Sequence, residues 1–195
     1  MSLVRRGLML PFIGFLSSCA VSVHDYKQRT PELDLSSFFH GQLEAYGIVQ
    51  DYRGRVIRQF KADIVADWSD NKGILDEVFY FADGEVQRRC WQLTKDGKRY
   101  SGTAGDVIGT AYGEASGNAL NWRYTLAIPV KGKVRHISLN DWMFLVDENN
   151  LINKASMSKF GLGVGEITLN IHKLSNDAQR ELSPDCSLAL INRTK

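Results

Sequence analysis

The sequence predicts an all-β fold. Its expected form is one antiparallel, up-and-down barrel of about ten strands behind a short N-terminal helical turn, with a β-sandwich as the alternative. Three observations carry this. From Gln42 to Lys173 apolar and polar residues alternate with a period of two. Clusters of glycine, asparagine and aspartate interrupt the alternation at the regular intervals of hairpin proteins. No helical period persists over that stretch. Alternation does not separate a barrel from a sandwich, and the barrel is preferred because closure removes exposed strand edges.

Each element follows from its residues. Leu33-Asp34-Leu35-Ser36-Ser37-Phe38-Phe39 makes the helical turn, its aromatics capping one end of the body. The first strand pair is Leu43–Gln50 and Val56–Trp68, joined through Tyr52-Arg53-Gly54. In the second of these, Val56, Phe60, Ala62, Ile64, Ala66 and Trp68 share a face expected to be dry, opposite Arg55, Gln59, Lys61, Asp63 and Asp67. Ile74–Phe81 and Val86–Thr94 follow, joined at Asp83-Gly84, a pair that supplies the positive φ of tight hairpins. Arg99–Ala104 and Asp106–Tyr112 are the next strands expected. Leu120, Trp122, Tyr124, Leu126 and Ile128 give the cleanest alternation of the chain. Val134–Asn140 comes next, then the more continuously apolar Asp141–Val146, then Leu151–Phe160 and Gly161–Lys173. The glycines of Gly161-Leu162-Gly163-Val164-Gly165 precede no helix start, so they suit a strand bulge and not a phosphate loop. A barrel of this size is of the calycin, lipocalin-like kind, which can hold one apolar ligand.

The N-terminus predicts an address. Arg5-Arg6 precede the apolar run Gly7–Leu16, which is too short for a bilayer span of about 20 residues. Ser17-Ser18-Cys19 then places small residues before a cysteine, the layout of a lipoprotein signal. Residues 1–18 are the expected signal peptide, 19–35 the acylated anchor and linker, 36–174 the barrel and 175–195 a polar, loosely attached tail. Lipidation is expected at Cys19, with the membrane as the partner of its acyl chains. Ala20, not aspartate, follows Cys19, which points to the periplasmic face of the outer membrane. The formal net charge of +2 comes from Arg5 and Arg6, so the chain after Cys19 is charge-balanced. Nucleic acid, which demands a basic surplus, is not an expected partner.

Besides Cys19 the chain holds Cys90 and Cys186. An oxidising compartment permits a bridge between them. Cys90 beside Trp91 in an apparent strand instead favours a buried free thiol. There is no CxxC and no close histidine pair, so neither a metal nor another cofactor is expected.

Four segments carry a family resemblance: Asp83–Arg89, Gly105–Ala111, Gly117–Tyr124, and Asp141-Trp142-Met143 through Met157–Gly161. They resemble an uncharacterised group of bacterial lipoproteins, domain of unknown function 3833, over about Tyr26 to Lys173. The resemblance implies an envelope lipoprotein, often encoded near lipid-modifying methyltransferases, and implies no activity. The tail after Leu174 departs from the pattern.

Candidate site residues are polar and aromatic side chains within the strands: Arg88, Trp91, Trp122, Tyr124, Asp141 and Trp142. Turned inward, Arg88 and Asp141 would anchor a lipid headgroup or carboxylate among aromatic walls. The same residues would otherwise make an ion pair between strands and fill a core. The leading expectation is a non-enzymatic carrier of a lipid or other apolar molecule. A second is an envelope assembly lipoprotein with a protein partner and no ligand. The third is an enzyme on lipid substrates working through Asp106 and Asp141, although no G-x-S-x-G elbow is present and no catalytic residue stands out.

Overall fold

The computed structural model describes residues 20–130, 132–175, 181–183 and 186. The expected signal peptide, the Cys19 lipidation site and most of the tail lie outside these residues. A 3-10 turn, Val23–Tyr26, and the helical turn α1, Leu35–Phe38, precede ten strands. These are β1 (Gly41–Asp51), β2 (Val56–Ser69), β3 (Lys72–Phe81), β4 (Val86–Asp96), β5 (Arg99–Thr103), β6 (Ala111–Ser116), β7 (Ala119–Val130), β8 (Lys133–Leu145), β9 (Asn150–Lys159) and β10 (Leu162–Lys173). Each strand pairs antiparallel with its sequence neighbours, and β10 returns to β1 from Leu43↔Lys173 to Asp51↔Gly165. The sheet is a closed up-and-down barrel, which excludes the sandwich. Among the described residues no helix is long and apolar enough to cross a membrane.

Register fixes which side chains enter the barrel. The pairs Leu43↔Ile64, Ala66↔Leu75, Leu75↔Trp91, Leu120↔Met143 and Leu151↔Ile171 all lie on the inner wall. One end is sealed. Leu33, Leu35, Phe38 and Phe39 pack against this inner wall and are almost fully buried. The plug is held by polar bonds: Asp34 caps α1 by accepting from the Ser36 amide at 2.8 Å, and Lys95 bonds both Asp34 and Ser36. Burial works against the Asp34 charge, but the bond from Lys95 and those from Ser36 outweigh it and hold its pKa at about 2.

The chain enters at this sealed end. Tyr26 lies against Trp142 and Phe144 on the outer wall, at 5.9 and 5.3 Å between ring centroids. The Leu33 amide donates to the Gly117 carbonyl at 2.8 Å. Gly117, in the β6–β7 turn, has φ +54°, and a Cβ there would collide with the Tyr26 carbonyl. A larger residue would therefore push the N-terminal segment off the wall.

Three sequence expectations are corrected. Residues 106–112 do not form a strand of their own: the chain loops inward after β5, touches β7 through the single bridge Val107↔Leu126, and β6 begins at Ala111. Asp141–Val146 is not a separate strand but the end of β8. Its unbroken apolarity arises because Met143 and Leu145 face the interior while Trp142 and Phe144 lie under Tyr26 outside. Cys90 is not a free thiol: it is joined to the fully buried Cys186. Beside this bridge the Ser183 amide donates to buried Asp76 at 2.5 Å, so the described part of the tail is fastened to the outer wall of β3 and β4. The expected bulge is present, with register shifting between Gly163 and Gly165. A Cβ on Gly165 would strike the Gln50 carbonyl of β1.

Candidate functional site

Exposure rises along the inner rows from the sealed end to the other. In β1, Leu43 and Ala45 are buried and Val49 is half-buried; in β10, Ile171 is buried and Leu169 and Ile167 are half-buried. Phe79, Phe81, Ile128, Ile137 and Met157 repeat this on β3, β7, β8 and β9. The barrel is thus fully covered below and partly accessible above, where Ile128, Ile137, Met157 and Ile167 pack on a smaller buried cluster of Leu126, Leu139 and Ala155. Its aromatic side is Phe60, Phe79 and Phe81, whose centroids are 5.5–6.5 Å apart. Arg58 lies over Phe81 at 3.5 Å and is held by Asp83 and Glu85 of the β3–β4 hairpin.

A polar band lies between the covered and accessible parts. Glu77, Arg89 and Tyr124 come from β3, β4 and β7, Asp141 and Asn153 from β8 and β9, and Asp106 from the inward loop. The register explains the grouping: Glu77 pairs with Arg89, and Asp141 pairs with both Trp122 and Ala155. Arg89 donates to both Asp106 oxygens, Nε at 2.9 and 3.0 Å and Nη2 at 2.8 Å. Glu77 Oε2 is 3.6 Å from Arg89 Nη1 and has no hydrogen bond of its own, and the carboxyl's other polar neighbour is the Trp91 side chain. Asp141, only 5% exposed, accepts from Asn153 Nδ2 and, at 3.4 Å, from the Tyr124 hydroxyl.

Burial dominates the acid–base behaviour of the band. It pushes Glu77 up to about 7, against the pull of the Arg89 charge. It pushes Asp141 up to about 7 too, against its bonds from Asn153 and Tyr124. The Tyr124 phenol is raised well above its usual range, first by burial and then by the Asp141 charge. For Arg89, burial disfavours the cation, but the Asp106 bond and the Glu77 field outweigh it. One guanidinium, already forked onto Asp106, thus faces three carboxyls. The band is acidic when these are ionised and close to neutral when Glu77 and Asp141 hold their protons.

Four of the six residues singled out from sequence meet here. Trp91 packs on Trp122 and Tyr124 at 5.7 and 5.4 Å, and Tyr124 reaches Asp141. The other two do not. Trp142 is on the outer wall against Tyr26, and Arg88 is exposed on the outside. Arg89 is the inward base, because it shares the inner row with Trp91 and Leu93, whereas Arg88 shares its row with Cys90, turned outward to the tail. Glu77 and Asn153 were also missed. Ile64↔Glu77 and Asn153↔Leu169 put both on apolar inner rows, a signal visible in sequence only once the register is known. Among the described residues, no group of three or more His, Cys, Asp or Glu is placed to hold a metal ion. A depression of the wall lined by Tyr46, Ile48, Gln59, Phe60, Ile152 and Leu169 shares Phe60 and Leu169 with the apolar rows but no residue of the polar band.

Solved structures of similar fold exist. A protein of unknown function from the DUF3598 family of Nostoc punctiforme aligns with TM-score 0.51 and 10% identity, over 75% of this chain and 51% of that one. This chain therefore spans about half the length of that protein. The S-type phycobiliprotein lyase CPES from Guillardia theta aligns with TM-score 0.52 and 8% identity, over 73% of this chain and 94% of its own. At such identities the likeness is one of fold. No curated protein matches the sequence. A family model described as "Protein of unknown function (DUF3833)" matches residues 13–173.

Proposed function

We propose a ligand-binding role for this chain, which belongs to the DUF3833 family: it holds one apolar molecule in the open part of the barrel, with the polar end of that molecule at the Glu77–Arg89–Asp141 band. One observation carries the proposal. The inner rows change from packed to accessible at the level where Glu77 Oε2 lacks a hydrogen bond. A barrel used only as a scaffold would gain from an apolar residue there, since a buried acid without a full set of partners is costly. The fold shared with a phycobiliprotein lyase supports a barrel that works on a bound molecule. Acylation at Cys19, with Ala20 directing the protein to the periplasmic side of the outer membrane, completes the proposal.

The charge balance of the band selects the ligand. A carboxylate or phosphate would meet Glu77, Asp106 and Asp141 with only an occupied arginine to offset them. A hydroxyl, amide or amine donates to Glu77 Oε2 instead. The test is native mass spectrometry on residues 20–195 secreted to the periplasm, followed by uptake of long-chain alcohol, amine and fatty acid. A bound mass removed by organic extraction, and alcohol or amine bound at least tenfold better than acid, is the expected result. Glu77→Gln should abolish the preference for amine. A clean apo mass with no uptake would overturn the proposal and favour the envelope partner protein as the object of binding.

A second reading, an enzyme on an apolar substrate, has one observation of its own. Glu77 and Asp141 both titrate near pH 7, where a carboxyl can give and take protons. It requires that the extracted molecule be chemically changed on incubation and that Asp141→Asn, still folded, leave it unchanged.

A further inference from the structure

The tips of two neighbouring hairpins at the open end are apolar, basic and free of acid. Phe160 at the β9–β10 turn is 94% exposed and Leu162 73%; at the β7–β8 hairpin Val134 is 63% exposed and Val130 43%. The hairpins are adjacent because β8 pairs with β9, but that pairing ends at Ser138↔Ser158. Beyond it β7 and β8 continue together from Leu126↔Ile137 to Val130↔Lys133, so this ribbon projects past its neighbours.

The charges are distributed unevenly around the mouth. On the opposite side acids accompany the bases: Arg55 pairs with Asp51 and Arg58 with Asp83 and Glu85, while the Arg53 guanidinium bonds the Tyr52 hydroxyl. From Thr125 to Asn140 and from Leu151 to Gly165 the sequence holds no Asp or Glu. Lys133 and Arg135 are exposed and make no ion pair among the described residues, and the Lys159 ammonium lies 5.4 Å from the Phe160 ring. Exposed aromatic and aliphatic tips interspersed with unpaired bases match a bilayer interface, where the apolar groups enter the headgroup boundary and the bases meet anionic lipid. A protein surface would also accept the apolar tips. It would not explain the absence of acids from both tips.

We infer that the β7–β8 and β9–β10 tips dock the open end of the barrel onto a bilayer containing anionic phospholipid. The inference stands whether or not the barrel carries a ligand. Every strand pairing, the α1 plug and the disulfide lie within residues 20–186, so residues 20–195 retain all described contacts and serve for the test. Vesicles of phosphatidylethanolamine with phosphatidylglycerol are compared with phosphatidylcholine vesicles by flotation. Binding to the anionic vesicles is expected, weakened at least tenfold by Phe160→Ser with Val134→Ser and by Lys133→Glu with Lys159→Glu. Ile152→Ser, on the outer wall, should bind as the parent does. Phe160→Trp should add a fluorescence component that bromine-labelled lipid quenches. No flotation, or flotation unmoved by either tip pair, would overturn the inference, as would an added tryptophan that the lipid never quenches. Loss of ligand uptake with flotation intact would count against the binding role alone.

Discussion

Asp141 makes the interior sensitive to pH. Its carboxyl ionises near pH 3.8 in an unfolded chain and near 7 in the barrel. Between those values the unfolded state releases a proton that the folded state keeps, so stability falls as pH rises through this window. Asp141→Asn removes that contribution. It should raise unfolding free energy at pH 8 by on the order of 2–4 kcal/mol and flatten the pH profile, read by urea denaturation at pH 5 and pH 8. At this scale the sequence was half legible. Trp122 and Tyr124 are legible because they sit in the cleanest alternating strand, and Trp91 and Asp141 because an aromatic ring or a charge stands out within an apolar strand. Arg89 was passed over for Arg88 because Val86 and Cys90 make the outer row of β4 look as apolar as the inner one. Val86 is in fact exposed, and Cys90 faces the tail.

At the scale of elements, hairpin punctuation located most strands to within a residue or two. It failed where side chains serve two surfaces or none of the sheet. Val107 and Ile108 have strand character, but Asp106 is drawn to Arg89 and takes the backbone out of the ladder. The end of β8 lost its alternation because the N-terminal segment covers its outer face. The tail's attachment is illegible for a similar reason: its anchor is one cysteine 96 residues from its partner, a contact that spacing cannot reveal. Reducing the bridge, or Cys186→Ser, frees the tail from Asp76 and Cys90. The expected loss is about 2–4 kcal/mol. Limited proteolysis should then remove the C-terminal residues while leaving the barrel intact. A tail equally resistant before and after reduction would show that the bridge does not hold it.

For the molecule as a whole, two sets of acids oppose each other. Asp34 and the lowered surface acids Asp51, Asp83 and Glu85 contribute stability that is present above their ordinary range and lost as pH falls toward 2. Glu77 and Asp141 act in the opposite sense between about 4 and 7. The thermal midpoint should therefore peak in mildly acid buffer, near pH 4, and decline toward neutrality. A peak above pH 7 would mean that the interior carboxyls are not raised. Closure of the sheet was legible as a preference, since ten short strands with tight turns have an edge problem that a barrel removes. The open mouth was not, because accessibility belongs to the register.

The entry of the chain beside Gly117 gives the barrel a direction. Its lengthwise strands of 10–14 residues rise about 3.3 Å per residue, less their tilt, or roughly 30 Å from pole to pole. If Cys19 is acylated as proposed, the tether would leave from the plugged pole, and the mouth with its greasy, basic lip would stand about that far from the anchoring leaflet. Held that way, the body would turn its mouth away from the membrane that anchors it.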